Sequence, residues 1–247
     1  MKSIFQSKHS IEKKLLNSAP NKFVKVYSEN DKLLVNLASP PVNALNIEML
    51  KEITILFNQL KLIDDISVII LTSEGNNFCA GIDVLDMFTA FQSNNGMKFC
   101  LDFASMLDTV ASVNKPLIGV IHGAAIGAGA TLGTICDYTI ATPDARFGYP
   151  EKKLGLKPSI SMPYVMAKAG SKAVIPFLSG NIFGVDEAIK LNLINEICDY
   201  DCVYQVVNER FEKLKNTTHQ THCIPITPNS FDEYDLGNYS PHFPQLN

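Results

Sequence analysis

The chain has 247 residues, 46% of them hydrophobic and 19% charged, with a formal net charge of -4. This length and apolar content supply a sizeable core and exclude disorder of the chain as a whole. The slightly acidic balance argues against a nucleic-acid partner, which needs a dense basic face, and leaves any anionic ligand dependent on local donors.

Residues 1–21 read as a flexible or weakly helical arm, polar and Lys-rich, without the apolar stretch of a signal peptide. No apolar run approaches the roughly 20 residues that span a bilayer, so no membrane association is expected. Two β-like runs follow, Phe23–Tyr27 and Leu33–Leu37, broken by Pro40-Pro41. From Asn46, a plausible N-cap, the apolar positions Met49, Leu50, Ile53, Leu56, Phe57 and Leu60 fall at helical spacing. The β-branched run Ser67–Thr72 reads as a buried strand ending toward Gly75. A helix is expected from about Asp83, and a second from Met97 to Val113, stopping before Pro116. Leu117–Ile121 reads as another buried strand, His122-Gly123 ends it, and a small-residue helix follows. Tyr138–Ala141 is strand-like. Helical pattern then covers Ile160–Ala169, Lys172–Leu178, Val185–Leu191 and Cys202–Leu214, with one strand at Ile194–Cys198. The stretch from about Asn216 lacks apolar periodicity and reads as an extended tail.

Alternating strands and helices predict an α/β fold with parallel pairing, and composition alone would suggest a doubly wound sheet. Cys79, Cys100, Cys136, Cys198, Cys202 and Cys223 show no paired spacing. They read as packing residues of a reduced, cytoplasmic protein, and no metal site is expected.

Two segments carry candidate chemistry. Phe78-Cys79-Ala80-Gly81-Ile82-Asp83 follows a strand and opens a helix. Its small residues let another group approach the backbone, and the Ile82 and Asp83 N–H groups fall among the unpaired donors of a helix start. Such donors favour developing negative charge. The plainer reading is an ordinary strand–helix turn capped by Asp83. The second segment is His122-Gly123-Ala124-Ala125-Ile126-Gly127-Ala128-Gly129-Ala130. It fails as a dinucleotide fingerprint, because Leu132 stands where a third glycine is needed, but succeeds as a tightly packed helix with an open N-terminus. Together the two segments can aim two backbone donors at one oxygen, the geometry of an oxyanion hole.

The chain resembles the crotonase (enoyl-CoA hydratase/isomerase) superfamily. The matching pieces are Pro41-Val42-Asn43-Ala44-Leu45, the two loops above, Lys115-Pro116-Leu117-Ile118-Gly119-Val120-Ile121, Cys136-Asp137, Ala145-Arg146-Phe147-Gly148-Tyr149-Pro150-Glu151 and Leu154-Gly155. They occur in the family's order over roughly residues 22–215. The resemblance implies a crotonase-like spiral of ββα units with a helical C-terminal segment. It divides the chain into an arm at 1–21, a core at 22–155, a helical segment at 156–215 for oligomerisation and pocket closure, and a tail at 216–247. It also implies a homotrimer or hexamer, an acyl-CoA or acyl-carrier-protein thioester as substrate, and no permanently bound cofactor.

By the same resemblance the oxyanion donors are the backbone N–H groups of Ile82 and Ala128. Asn43, Ala44, Leu45, Ala80, Gly81, Asp83 and Gly127 contact the coenzyme part of the substrate. The family's hydratases hold a water between two Glu, at positions matching Thr131 and Glu151; only Glu151 is a carboxylate here, and Thr131 could still hydrogen-bond a water or substrate. The acid that the family's isomerases and a related dehalogenase place near Ser159 is also missing. Glu151 follows the apolar Phe147-Gly148-Tyr149-Pro150, where burial would raise its pKa toward that of a working base; the plainer reading is an idle surface Glu beside Lys152 and Lys153. One base and an oxyanion hole suffice for α-proton transfer, as in an enoyl-CoA isomerase, whereas hydration lacks its second carboxylate. The lysines that contact coenzyme phosphates in some relatives are replaced around the first loop by Asn76, Asn77, Val84 and Leu85. That motivates two alternatives, a dehydratase or decarboxylase acting on an acyl carrier protein, and a non-catalytic crotonase-fold binding protein.

The acyl pocket is expected from Val84–Phe91 and Met97–Leu107, which carry Met87, Phe88, Phe91 and Phe99. Ser159 and Ser161 could reach substrate, but no His–Asp pair supports a nucleophilic triad. His122 reads as structural, Asp137 as a backbone acceptor at a turn, and Arg146 as the partner of a nearby carboxylate.

Overall fold

The computed structural model describes residues 22–155, 158–174 and 179–216. The arm at 1–21 and the tail beyond Asn216, with Cys223, lie outside the described residues. Strand β1 (Val24–Glu29) turns back through Asn30, at φ 55, onto antiparallel β2 (Lys32–Leu37). From β2 the sheet is parallel, adding β3 (Val68–Ser73), β4 (Leu117–Ile121), β6 (Tyr138–Ala141) and β9 (Glu196–Ile197). Every residue of β3 and β4 is buried, so their unbroken apolar runs are those of central strands covered on both faces.

The pleat sorts these runs into two layers. Leu33, Val35, Ile69, Leu71, Leu117 and Ile121 join the main core with helices α1 (Ile47–Leu60) and α3 (Gly96–Ala111). Leu34, Val68, Ile70, Ile118, Val120 and Ile140 face the other way, where helix α7 (Val203–Leu214) covers them with Val203, Val207 and Phe211, one turn apart. The expected Asn46 cap is present, its side chain accepting from Met49 N at 2.8 Å.

A second, three-stranded sheet corrects the chain-order reading. β5 (Ala124–Ile126) stands where the small-residue helix was expected to begin, and pairs with β7 (Arg146–Gly148), which pairs with β8 (Ile182–Gly184). Helix α4 (Ala128–Ile135) starts only after it. The succession β4-β5-α4 is one turn of a ββα spiral, the crotonase architecture, in place of a doubly wound sheet. Within 172–178 a 3-10 turn, Gly170–Ala173, occupies the first positions, and 175–178 lie outside the described residues. Helices α5 (Met162–Ala169) and α6 (Val185–Lys190) complete the order.

Glu52 shows how α1 is tied to the sheet. Its buried carboxylate accepts from the backbone N–H groups of Lys22, Phe23 and Val24 at 3.1, 2.9 and 3.1 Å. Glu52→Ala would leave these donors without their acceptor, so a loss of about 2–4 kcal/mol is expected in urea unfolding. A midpoint unchanged within error would show the carboxylate to be dispensable.

Candidate active site

The first loop is held open by backbone pairing. Phe78 N and Cys79 N donate to His122 O and Ala124 O, and Ile126 N returns a bond to Cys79 O, each at 2.9 Å. This lays residues 78–79 beside β5. Leu45 N then donates to Gly81 O at 2.8 Å, and Asp83 N to Leu45 O at 3.0 Å. The parallel bridge between Leu45 and Ile82 uses the amides on either side of Ile82, leaving the Ile82 N–H directed away from it. No partner for that N–H occurs among the described residues. The Asp83 N–H, expected to be free as well, is therefore taken. The Asp83 carboxylate caps α2 (Val84–Gln92) through Leu85 N and Asp86 N, at 2.9 and 3.1 Å.

The second loop ends at Gly127, with φ 55 and ψ -119, whose N–H donates to Gly148 O at 2.8 Å. Ala128 opens α4, and its N–H likewise has no partner among the described residues. Gly81, at φ 96, brings the two loops together: a Cβ there would lie 2.8 Å from Ile126 O and 3.6 Å from Ala128 N.

Ile82 and Ala128 line one cavity of about 160 Å³. Its walls are largely apolar, with Met87, Phe91 and Phe99 as expected, and Cys100 and Phe103 in addition; Phe88 is not part of the wall. Ser159 and Ser161 border it, as does Glu151. An apolar enclosure with a few convergent polar groups is the usual form of a small-molecule site.

Glu151 sits on a 3-10 turn, Pro150–Leu154, directly after β7. Its carboxyl rests over the second loop, where a Cβ on Gly127 would come within 2.2 Å of Oε1. Oε2 is enclosed without a hydrogen-bond partner. Burial pushes the carboxyl up to about 7, outweighing the bond from its own backbone amide. No ion pair among the described residues joins it to Lys152 or Lys153, so the idle surface Glu is not what forms.

Thr131 is fully buried in α4, its hydroxyl 3.1 Å from Gly127 O and 3.4 Å from the Tyr149 hydroxyl, and it does not line the cavity. The water or substrate contact expected of it is thus not in place. Asn43 is also spent internally: Nδ2 donates to Glu74 O and Asn77 O, both at 2.8 Å, and Oδ1 accepts from Ser39 N at 2.7 Å. Among the residues expected against the coenzyme, Ala80 and Gly81 reach the cavity. Asn43, Ala44 and fully buried Leu45 form the loop behind it, Asp83 is a helix cap, and Gly127 lies under the Glu151 carboxyl.

The other polar residues are structural. His122 bonds Gly75 O through Nε2 at 3.1 Å, which requires the proton on that nitrogen, and burial lowers its pKa. Asp137 accepts from Leu117 N at 2.8 Å, as expected. Arg146 departs from expectation, donating to the carbonyls of Pro143 and Ala145 at 3.3 and 2.9 Å rather than to a carboxylate. Burial raises the Cys79 and Cys136 thiols to about 12, consistent with packing. Among the described residues no cluster of metal-ligating side chains occurs, and no helix is long and apolar enough to cross a membrane.

The profile of enoyl-CoA hydratase/isomerase proteins matches residues 29–224. A probable enoyl-CoA hydratase of Mycobacterium leprae is 33% identical over 158 residues, 63% of this chain and 60% of the relative. A short-chain-enoyl-CoA hydratase of Clostridium acetobutylicum is 30% identical over 177 residues, 70% of this chain and 67% of the relative. The chain thus spans well short of the full length of these curated relatives. The crystal structure of an enoyl-CoA hydratase/isomerase from Marinobacter aquaeolei superposes with a TM-score of 0.75 at 25% identity, covering 91% of this chain and 86% of that one. With the spiral fold and the paired loops, these likenesses show that the chain belongs to the enoyl-CoA hydratase/isomerase family.

Proposed function

We propose that the chain forms an enolate from an acyl thioester, with Glu151 as the base and the Ile82 and Ala128 N–H groups holding the thioester oxygen. The observation that carries this reading is the pairing of a carboxyl whose Oε2 is enclosed without a partner, raised to about 7, with two unpartnered amides around one apolar cavity. Glu151 takes the α-proton, charge moves to the carbonyl oxygen, and the two amides stabilise it. Return of the proton two carbons along converts a 3-enoyl into a 2-enoyl thioester, so isomerisation needs no further group. Hydration needs a second group to position water, and the Thr131 hydroxyl is turned to Gly127 O and Tyr149 instead.

The test is deuterium uptake at the α-carbon of saturated and 3-enoyl-CoA thioesters in heavy water, followed by mass spectrometry beside Glu151→Gln. The base acts as carboxylate, so uptake should rise tenfold per pH unit below about 7 and level off above it. A rate independent of pH from 5 to 9 would remove Glu151 from the base's role. Val84 and Leu85, exposed beside the first loop, support a second reading in which a carrier protein presents the pantetheine. Exchange with carrier-bound thioesters and none with free CoA esters would select it. No exchange with either, in a folded protein, would leave the family's fold in a binding role.

A further inference from the structure

A second cavity of about 430 Å³ lies away from Glu151, bordered by Asp137, Lys168, Asn192 and Asn195. Lys168, near the end of α5, reaches across to the α4–β6 connection. Its Nζ donates to Cys136 O at 2.7 Å and to Thr139 Oγ1 at 2.9 Å. The Thr139 hydroxyl spends its own proton on Gly133 O at 2.7 Å, so toward Lys168 it can only accept. Both acceptors are therefore neutral, and no carboxylate among the described residues lies within ion-pair distance of Nζ. Two acceptors match the two N–H bonds of an uncharged amine, which leaves its lone pair in the remaining tetrahedral direction. An ammonium would carry a third N–H with no protein acceptor among the described residues.

We propose that Lys168 is a nucleophilic amine whose site of modification is this polar cavity, with acyl thioesters as the modifying class. The Nζ lone pair adds to the thioester carbonyl, the C–S bond breaks, and the departing thiolate accounts for the proton released from nitrogen. The products are a neutral amide and a free thiol, and no oxidant or metal is needed. A neutral product suits a wall that also carries Asp137, which disfavours the carbamate that carbon dioxide would leave there. Asn192 and Asn195 border the same cavity and carry side-chain N–H donors suited to an amide oxygen.

Burial favours the same reactive form, lowering the amine from 10.5 to about 8 even though Cys136 and Asp137 oppose the shift. About a quarter of the amine is then uncharged at pH 7.5. Acylation would leave one N–H to serve two acceptors, loosening the tie between α5 and the α4–β6 connection. Ser159, Ile160 and Ser161, just before α5, line the first cavity, so modification would reach the candidate active site through its wall.

The proposal does not rest on Glu151 chemistry, because the donor need only be a thioester. The full chain is incubated with S-acetyl-N-acetylcysteamine between pH 6.5 and 9.5, and acetylation is quantified peptide by peptide. Exposed Lys152 and Lys153 of the same molecule serve as internal references, so no variant has to fold. Lys168 is expected to label at least tenfold faster than either at pH 7.5, with a rate that levels off above about pH 8. The same result in Glu151→Gln would separate this site from the candidate active site. Labelling of Lys168 no faster than that of Lys152 and Lys153, or a rate without a plateau, overturns the proposal.

Discussion

Glu151→Gln should lower α-proton exchange by about 10³-fold and at the same time stabilise the protein above pH 7. Few substitutions at the wall of a cavity do both. The loss of rate follows from removing the proposed base while keeping the shape of the side chain. The gain in stability follows from the enclosed Oε2, which has no partner to offset its desolvation. The folded-state pKa of about 7 stands above the ordinary 4.5. Below pH 4.5 the carboxyl is neutral in both states and costs nothing. Between pH 4.5 and about 7 the unfolded chain ionises first, so stability drains away as pH rises, and above 7 the deficit is constant. Its size is on the order of 3 kcal/mol. Urea midpoints of the two proteins should coincide near pH 4.5 and separate by pH 8, with the variant higher. A variant less stable than the parent at pH 8 would mean that the carboxylate has a partner and is not poised as a base.

Gly81→Ala is expected to cut exchange by about 10²–10³-fold, as loss of one oxyanion donor does. Two effects act there and can be separated. A φ of 96 is foreign to alanine, costing about 1–3 kcal/mol of stability. The added Cβ would also press to 2.8 Å from Ile126 O, and that atom is backbone, so the loops must part and carry Ile82 and Ala128 with them. Gly170, at φ 68 with nothing within 4 Å of its would-be Cβ, isolates the first effect. Gly170→Ala should lose stability and keep its exchange rate. Equal rates for Gly81→Ala and the parent would show that the spacing of the loops does not set the chemistry.

The parts of the fold that were legible are those where local pattern and burial agree. The runs at 117–121 and 138–141 match β4 and β6 at both ends: β4 is buried at every position and reads as an unbroken apolar run, and β6 is a short run rich in strand-forming residues. Asn46 was legible because a cap is a local hydrogen bond. β5 was not: Ala-Ala-Ile among glycines carries no alternation, and its strand geometry comes from Cys79, 46 positions away in the sequence, and from β7. Glu151 could be named through the family resemblance, its apolar neighbours giving only a reason for burial, whereas the want of a partner for Oε2 is a property of the assembled site. Thr131 and Asn43 show the converse, since their polar atoms find internal acceptors and donors that no spacing reveals. Arg146 was assigned a carboxylate on charge alone, and the turn offered it carbonyls. Lys168 left no mark in the sequence, because a lysine with two neutral acceptors exists only once α5 is laid against the α4–β6 connection.

Helix α2 brings Met87 and Phe91 to the cavity yet buries only Ala90. Val84 and Leu85 are 50% and 72% exposed, and Asp86 accepts from Ile47 N, at the start of α1, at 2.9 Å. Nothing beneath this helix resembles the double-sided packing of the central strands. Its opening free energy is accordingly set by the Asp83 cap, the Asp86 tie to α1, its flank on α3 and the packing of Ala90 and Met87 against the main core, below that of the sheet. An occupant of the cavity would supply the missing apolar surface from inside. The amides of α2 therefore report occupancy through their protection from hydrogen exchange, and the strength with which this wall is held becomes a property of the complex rather than of the chain alone.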